Sequence, residues 1–180
     1  MKEMRKLFLF TALAVILFSC NEREKKVTRY TNDLEKVNEF SNAVGDAKLW
    51  GSPESVVKDV AHSGVYSSKL DSSNIFGFGF KSVFENILKS SPEKVNVKVW
   101  VYSLMPNPNA TIVLDIISNG QSKYWKNAAL NGVTKAMEWT ECNASFELPS
   151  DLNLKDELKI YIWNPKMEKL YVDDYEISFE

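Results

Sequence analysis

Val95-Asn96-Val97-Lys98-Val99-Trp100-Val101-Tyr102 places a valine at every second position and a polar or aromatic residue at each position between. Side chains alternate across a strand, so this octet has one valine face and one face made of Asn96, Lys98, Trp100 and Tyr102. A slip of one residue would turn every valine to water, which fixes the register wherever one side is buried. Ile112, Leu114 and Ile116 repeat the pattern within residues 111–118, with Asp115 on the outward parity. Leu158, Ile160 and Ile162 repeat it opposite Lys159, Tyr161 and Trp163. Phe76-Gly77-Phe78-Gly79-Phe80 predicts a strand with three rings on one face and bare backbone on the other. Turn chemistry separates these runs: Gly51-Ser52-Pro53, Asp71-Ser72-Ser73-Asn74, Met105-Pro106-Asn107-Pro108-Asn109, Asn119-Gly120 and Pro149-Ser150-Asp151. Residues 82–89 are the one stretch that reads as helical, and it is too short to alter the class. About nine or ten short strands with one apolar face each predict an all-β fold, a two-sheet antiparallel β-sandwich of the jelly-roll kind.

Composition agrees. A chain of 180 residues, 44% hydrophobic and 12% aromatic, is long enough for one well-buried domain and too apolar for wholesale disorder. Residues 1–19 hold three bases and one acid, which leaves 19 basic against 23 acidic residues beyond Ser19. Such a surface is a poor match for nucleic acid or acidic lipid, whose affinity comes largely from cations that displace counterions.

The N-terminus reads as an address. Met1-Lys2-Glu3-Met4-Arg5-Lys6 is net positive, and residues 7–18 form an almost unbroken apolar run ending at Ser19-Cys20. Twelve helical residues rise about 18 Å, short of a hydrocarbon core about 30 Å thick, so the run predicts a signal segment and not a span. Leu17-Phe18-Ser19-Cys20 resembles a bacterial lipobox, which implies a signal peptide over 1–19 and lipidation at Cys20. Residues 20–27, rich in charges of both signs, then form a hydrated tether to a domain over 28–180. Acyl chains on Cys20 would hold the protein to the outer membrane by its anchor alone. Cys142 is then the single remaining thiol, expected to be buried and inert, and no disulfide framework is possible. His62 is the one histidine, which removes His-pair metal motifs, common zinc centres and catalysis that needs a second imidazole. No pair of carboxylates is singled out as a hydrolytic pair, and no enzyme activity is expected.

A wider resemblance rests on pieces spread along the chain. Asn32-Asp33-Leu34-Glu35, His62-Ser63-Gly64-Val65-Tyr66-Ser67, Val99-Trp100-Val101-Tyr102, Trp139 ahead of Phe146-Glu147-Leu148-Pro149, and Leu170-Tyr171-Val172-Asp173-Asp174-Tyr175-Glu176-Ile177 together resemble the galactose-binding-like jelly rolls that include many carbohydrate-binding modules. The resemblance implies a structural calcium tying the first strand, an early turn and the last strand. Glu35 with Asp173 or Asp174 would supply carboxylates, and the Ser63 to Ser67 turn would supply carbonyls.

Sugar rings lie against aromatic faces while their hydroxyls need polar partners. Trp100, Tyr102, Tyr161 and Trp163 with Asp115 and Lys159 form such a face if their strands share one sheet, and Trp125 is a further candidate. Trp139 is expected in the core, Trp50 on a loop, and His62 as a hydrogen-bonding spacer in its turn. The expectation is a lipid-anchored, non-catalytic envelope protein binding polysaccharide or oligosaccharide through this face. The alternatives are docking or scaffolding with other envelope proteins and, third, a small glycan hydrolase or lyase.

Overall fold

The computed structural model describes residues 27–36, 49–130 and 132–180. The expected signal peptide over 1–19, the expected lipidation site Cys20 and residues 21–26 of the expected tether lie outside the described residues. The described residues form eleven strands, one α-helical turn and a 3-10 turn at Pro53–Ser55. The strands are β1 (Thr28–Asn32), β2 (Trp50–Gly51), β3 (Val56–Val57), β4 (Ser67–Leu70), β5 (Phe76–Val83), β6 (Lys94–Ser103), β7 (Thr111–Ser118), β8 (Gln121–Ala129), β9 (Trp139–Glu147), β10 (Glu157–Trp163) and β11 (Leu170–Phe179). The helical turn, α1 (Phe84–Ile87), falls inside the stretch the sequence marks as helical.

Two antiparallel sheets result, ordered β3-β4-β11-β6-β9 and β2-β5-β10-β7-β8. β11 lines up with β6 on one margin, while β4 (at Leu170–Val172) and β1 (at Tyr175–Phe179) share the other. The alternation in the sequence produces the packing. Val95, Val97, Val99 and Val101 of β6 are buried, as are Ile112, Leu114 and Ile116 of β7 and Leu158, Ile160 and Ile162 of β10. Each such side chain taken out of water contributes about 1.5–3 kcal/mol, which is why the pattern outweighs local preference.

Aromatic residues fill the space between the sheets. Trp50 is buried, not on a loop: it stacks on Phe78 at 5.6 Å and meets Phe80 edge-on at 5.3 Å. Tyr175 donates its hydroxyl to the Phe78 carbonyl at 2.7 Å across the two sheets, and burial raises that hydroxyl far above its ordinary range. Tyr30 closes one end, its ring 5.5 Å from Phe80 and its hydroxyl donating to the Ile87 carbonyl at 3.0 Å.

Two expectations are corrected here. Phe76, Phe78 and Phe80 do not share a face. The pairing of β10 with β5 shifts by one residue between Tyr161 and Trp163, so a bulge in β5 turns Phe76 outward while Phe78 and Phe80 stay in the core. Trp139 is not in the inter-sheet core either. It lies in register with Tyr102 on the outward parity of β9, opposite the inward Cys142 and Ala144.

Cys142 is buried, and burial, with help from the Glu141 charge, pushes its thiol up to about 11. The nucleophilic thiolate is therefore scarce near neutral pH. Peptide mass spectrometry after iodoacetamide treatment should find Cys142 unmodified in the folded protein and fully alkylated after denaturation.

Candidate functional site

The predicted aromatic residues do not share one sheet. Trp100 and Tyr102 project from β6 in the sheet ordered β3-β4-β11-β6-β9, whereas Asp115, Trp125, Lys159, Tyr161 and Trp163 project from the other sheet. Alternation separates inward from outward residues in each strand. It does not say which sheet a strand joins, and the two sets face opposite sides of the sandwich.

On the β2-β5-β10-β7-β8 sheet the register draws the outer face as a grid. One row runs Lys81, Lys159, Asp115, Trp125 across four strands. The next runs Gly51, Gly79, Tyr161, Val113, Asn127. The third runs Phe76, Trp163, Thr111, Ala129. Val113 points outward and is nonetheless fully buried, because the rings around it roof the centre of the face. Phe76 meets Tyr161 edge-on at 5.7 Å, and Trp125 meets Trp163 edge-on at 6.2 Å. Burial raises the Tyr161 hydroxyl above its ordinary range, against the hydrogen bond from Trp125 that lowers it. The four rings therefore make one connected platform, on which Phe76 is 48% and Trp125 42% exposed.

Glycine leaves room beside that platform. A shallow groove of about 330 Å³ is lined by Gly51, Gly79, Phe76, Tyr161, Lys159 and Asp115 among others. Its polar end is organised by Glu157, which pairs with Lys81 at 3.2 Å and Lys159 at 3.3 Å. Like charges directly opposite on neighbouring strands are unfavourable, and Glu157 offsets the Lys81–Lys159 pair. Asp115 accepts the Ser122 hydroxyl at 2.6 Å. Gly51, Phe76 and Lys81 are members of this site that sequence reasoning missed. For Phe76 the signal was hidden by the bulge, and for Lys81 it needed the β5–β10 pairing.

The opposite outer face is different. Trp100 lies under His62, whose ring stacks on it at 3.8 Å. Trp139 packs edge-on against His62 at 5.5 Å and tilts toward Tyr102 at 5.5 Å, and Tyr102 meets Tyr171 at 6.1 Å. Tyr171 is itself buried and donates its hydroxyl to Asp59 at 3.1 Å.

The residues predicted to hold calcium do come together around that loop. Asp173 lies in register with Trp100, just before a bulge at which Asp174 adopts a left-handed backbone with φ 47°. The Asp173 carboxylate accepts the His62 N–H at 2.8 Å, the Ser63 N–H at 3.3 Å and the Asp174 N–H at 2.8 Å. Burial pushes its carboxyl up to about 6 against these bonds, which act to lower it. Asp174 accepts the Ser63 hydroxyl at 2.7 Å and lies 2.6 Å from His62 Nδ1. Glu35 accepts the Val65 and Tyr66 N–H groups at 2.8 and 2.9 Å. Ser67 spends its hydroxyl on the Val60 carbonyl. Calcium takes about six to eight oxygen ligands. Here the three carboxylates face N–H, O–H and imidazole groups, and among the described residues no three His, Cys, Asp or Glu gather to hold a metal. Glu35, Asp173 and Asp174, as arranged, direct their carboxylates at protein donors.

Compared by sequence, the chain matches no protein-family model and no curated protein. Compared by structure, it is similar to the CBM22-2 xylan-binding domain of Xyn10C from Paenibacillus barcinonensis, at 18% identity and a TM-score of 0.55, covering 84% of this chain and 99% of that one. It is equally similar to the tandem CBM22-1–CBM22-2 domain of the same protein, covering 84% of this chain and 50% of that one, at 18% identity and a TM-score of 0.55. This likeness establishes the fold: a jelly-roll β-sandwich of two antiparallel sheets.

The two glycines beside Tyr161 should respond oppositely to a methyl group. A Cβ at Gly79 would lie 2.6 Å from the Ile160 carbonyl oxygen and 2.9 Å from Tyr161 Cβ, while at Gly51 it would meet no atom within 4 Å. In thermal melts Gly79→Ala should be destabilised by about 1–3 kcal/mol and Gly51→Ala should match the parent.

Proposed function

We propose that this protein binds carbohydrate through the outer face of the β2-β5-β10-β7-β8 sheet. The observation that carries the reading is the connected platform of Phe76, Tyr161, Trp125 and Trp163 beside a glycine-floored groove, with Lys81, Lys159, Asp115 and Glu157 along one end. Rings offer flat apolar surface to sugar C–H groups, and the charged row offers donors and acceptors to hydroxyls. Exposed tryptophan and phenylalanine in one patch are uncommon unless they meet something. Likeness in fold to a domain described as xylan-binding supports the same class of ligand, a polysaccharide or an oligosaccharide cut from one.

The protein acts as a binder and not as an enzyme in this reading. The two carboxylates on the face are committed, Asp115 to Ser122 and Glu157 to the two lysines. Cys20, next to the apolar run, carries the lipid that fixes the domain to the outer membrane, and the charged residues after it connect to β1. Trp100 and Tyr102 stand outside the binding face, under the His62 loop.

Affinity electrophoresis through gels containing xylan, galactan or other polysaccharides tests this. Retardation of the parent protein is expected, weakened about tenfold or more by Tyr161→Ala or Trp163→Ala. Gly51→Leu, whose Cβ has no atom within 4 Å and whose longer side chain extends into the groove, should weaken it, and Trp100→Ala should leave binding intact. No retardation by any polysaccharide, with an envelope protein captured through the same rings, would instead establish docking.

A further inference from the structure

The loop from His62 to Tyr66 spans the outer face of the β3-β4-β11-β6-β9 sheet, and its partners lie far away in sequence. Four of its backbone N–H groups end on carboxylates: His62 and Ser63 on Asp173, Val65 and Tyr66 on Glu35. Two side chains add to them, the Ser63 hydroxyl on Asp174 and the His62 ring beside the same carboxylate. Charge-assisted bonds of this kind are roughly twice as strong as neutral ones. The fit around Gly64 is close. Its backbone is left-handed at φ +58°, and a Cβ there would lie 2.2 Å from Glu35 Cδ, so the carboxylate occupies the space that any other residue would fill. His62 then carries the closure to the sheet by stacking on Trp100 at 3.8 Å.

We propose that this loop is latched by protein donors alone, with backbone N–H groups and the His62 ring standing where a cation would otherwise join the first strand, the turn and the last strand. The carboxylate at Asp173 is the centre of the arrangement. It is fully buried, and its two oxygens take three N–H bonds. An ion would have to compete with these donors, since N–H groups pointing at an oxygen repel a metal on the same side. The latch covers one face of the half-buried Trp100, whereas Phe76 and Trp125 on the other sheet are exposed. The proposal does not depend on what that platform binds.

Thermal melts of the parent protein, with excess EDTA and with excess calcium chloride, test the latch directly. The expected result is the same melting temperature in both. A fall in EDTA that calcium reverses would overturn the proposal. Glu35→Ala and Asp174→Ala should each lower the melting temperature by about 2–8 °C, with no response to calcium in either variant. Acrylamide quenching of tryptophan fluorescence, compared between the parent and His62→Ala, reads the cover. If a variant fails to fold, the parent melts with and without chelator decide the metal question, and quenching of the parent against His62→Ala decides the cover. Quenching should rise in His62→Ala, and an unchanged value would mean that the ring shields nothing.

Discussion

Strict alternation along the long strands is the constraint on which everything else rests. Because β6, β7 and β10 each commit every second side chain to the space between the sheets, the intervening residues have nowhere to go but outward. The interior is thereby settled by valine, isoleucine and leucine, and the outer faces are free to diverge. They have done so completely. One carries rings under a loop held by three carboxylates, and the other carries rings in the open beside a strip of ionic partners.

Much of the fold can be read directly from residues. Val95 to Val101 announce their face, and so do Leu158 to Ile162, since period-two burial is a local property of the chain. The partner of each strand is not local. β6 pairs with β11, whose first residue in the ladder, Leu170, sits opposite Ser103, and nothing near Trp100 in sequence reports that choice. For that reason parity placed Trp100 and Trp163 outward correctly while their division between two sheets stayed hidden. The bulge that expels Phe76 is hidden for a related reason: Phe-Gly-Phe-Gly-Phe has perfect alternation, and only the mismatch with β10 breaks it. Glu35, Asp173 and Asp174 show the converse. Their gathering was legible through resemblance, whereas the identity of what they hold depends on N–H directions that no one-letter code records.

The open face also illustrates how polar groups are kept in order near apolar ones. Lys81 and Lys159 stand opposite each other, an arrangement unfavourable in isolation, and Glu157 restrains both ammonium groups on one side of Tyr161. Exposed ion pairs add little to stability. Their value here is positional, because they hold donors at a fixed place at the end of a groove whose other end is aromatic.

β11 has one margin divided between two strands, with β4 before the Asp173–Asp174 bulge and β1 after it. Tension arriving through the chain ahead of Val27 thus enters the molecule at its C-terminal strand, where Thr28 lies opposite Phe179. The mechanical joint is five rungs of backbone pairing from Thr28 to Asn32 and one surface contact between Arg29 and Glu176. Tyr30 is its rivet: the ring lies against Phe80 and Phe179, and the hydroxyl is tied to Ile87, so the strand cannot peel away until that side chain is drawn out of the sandwich.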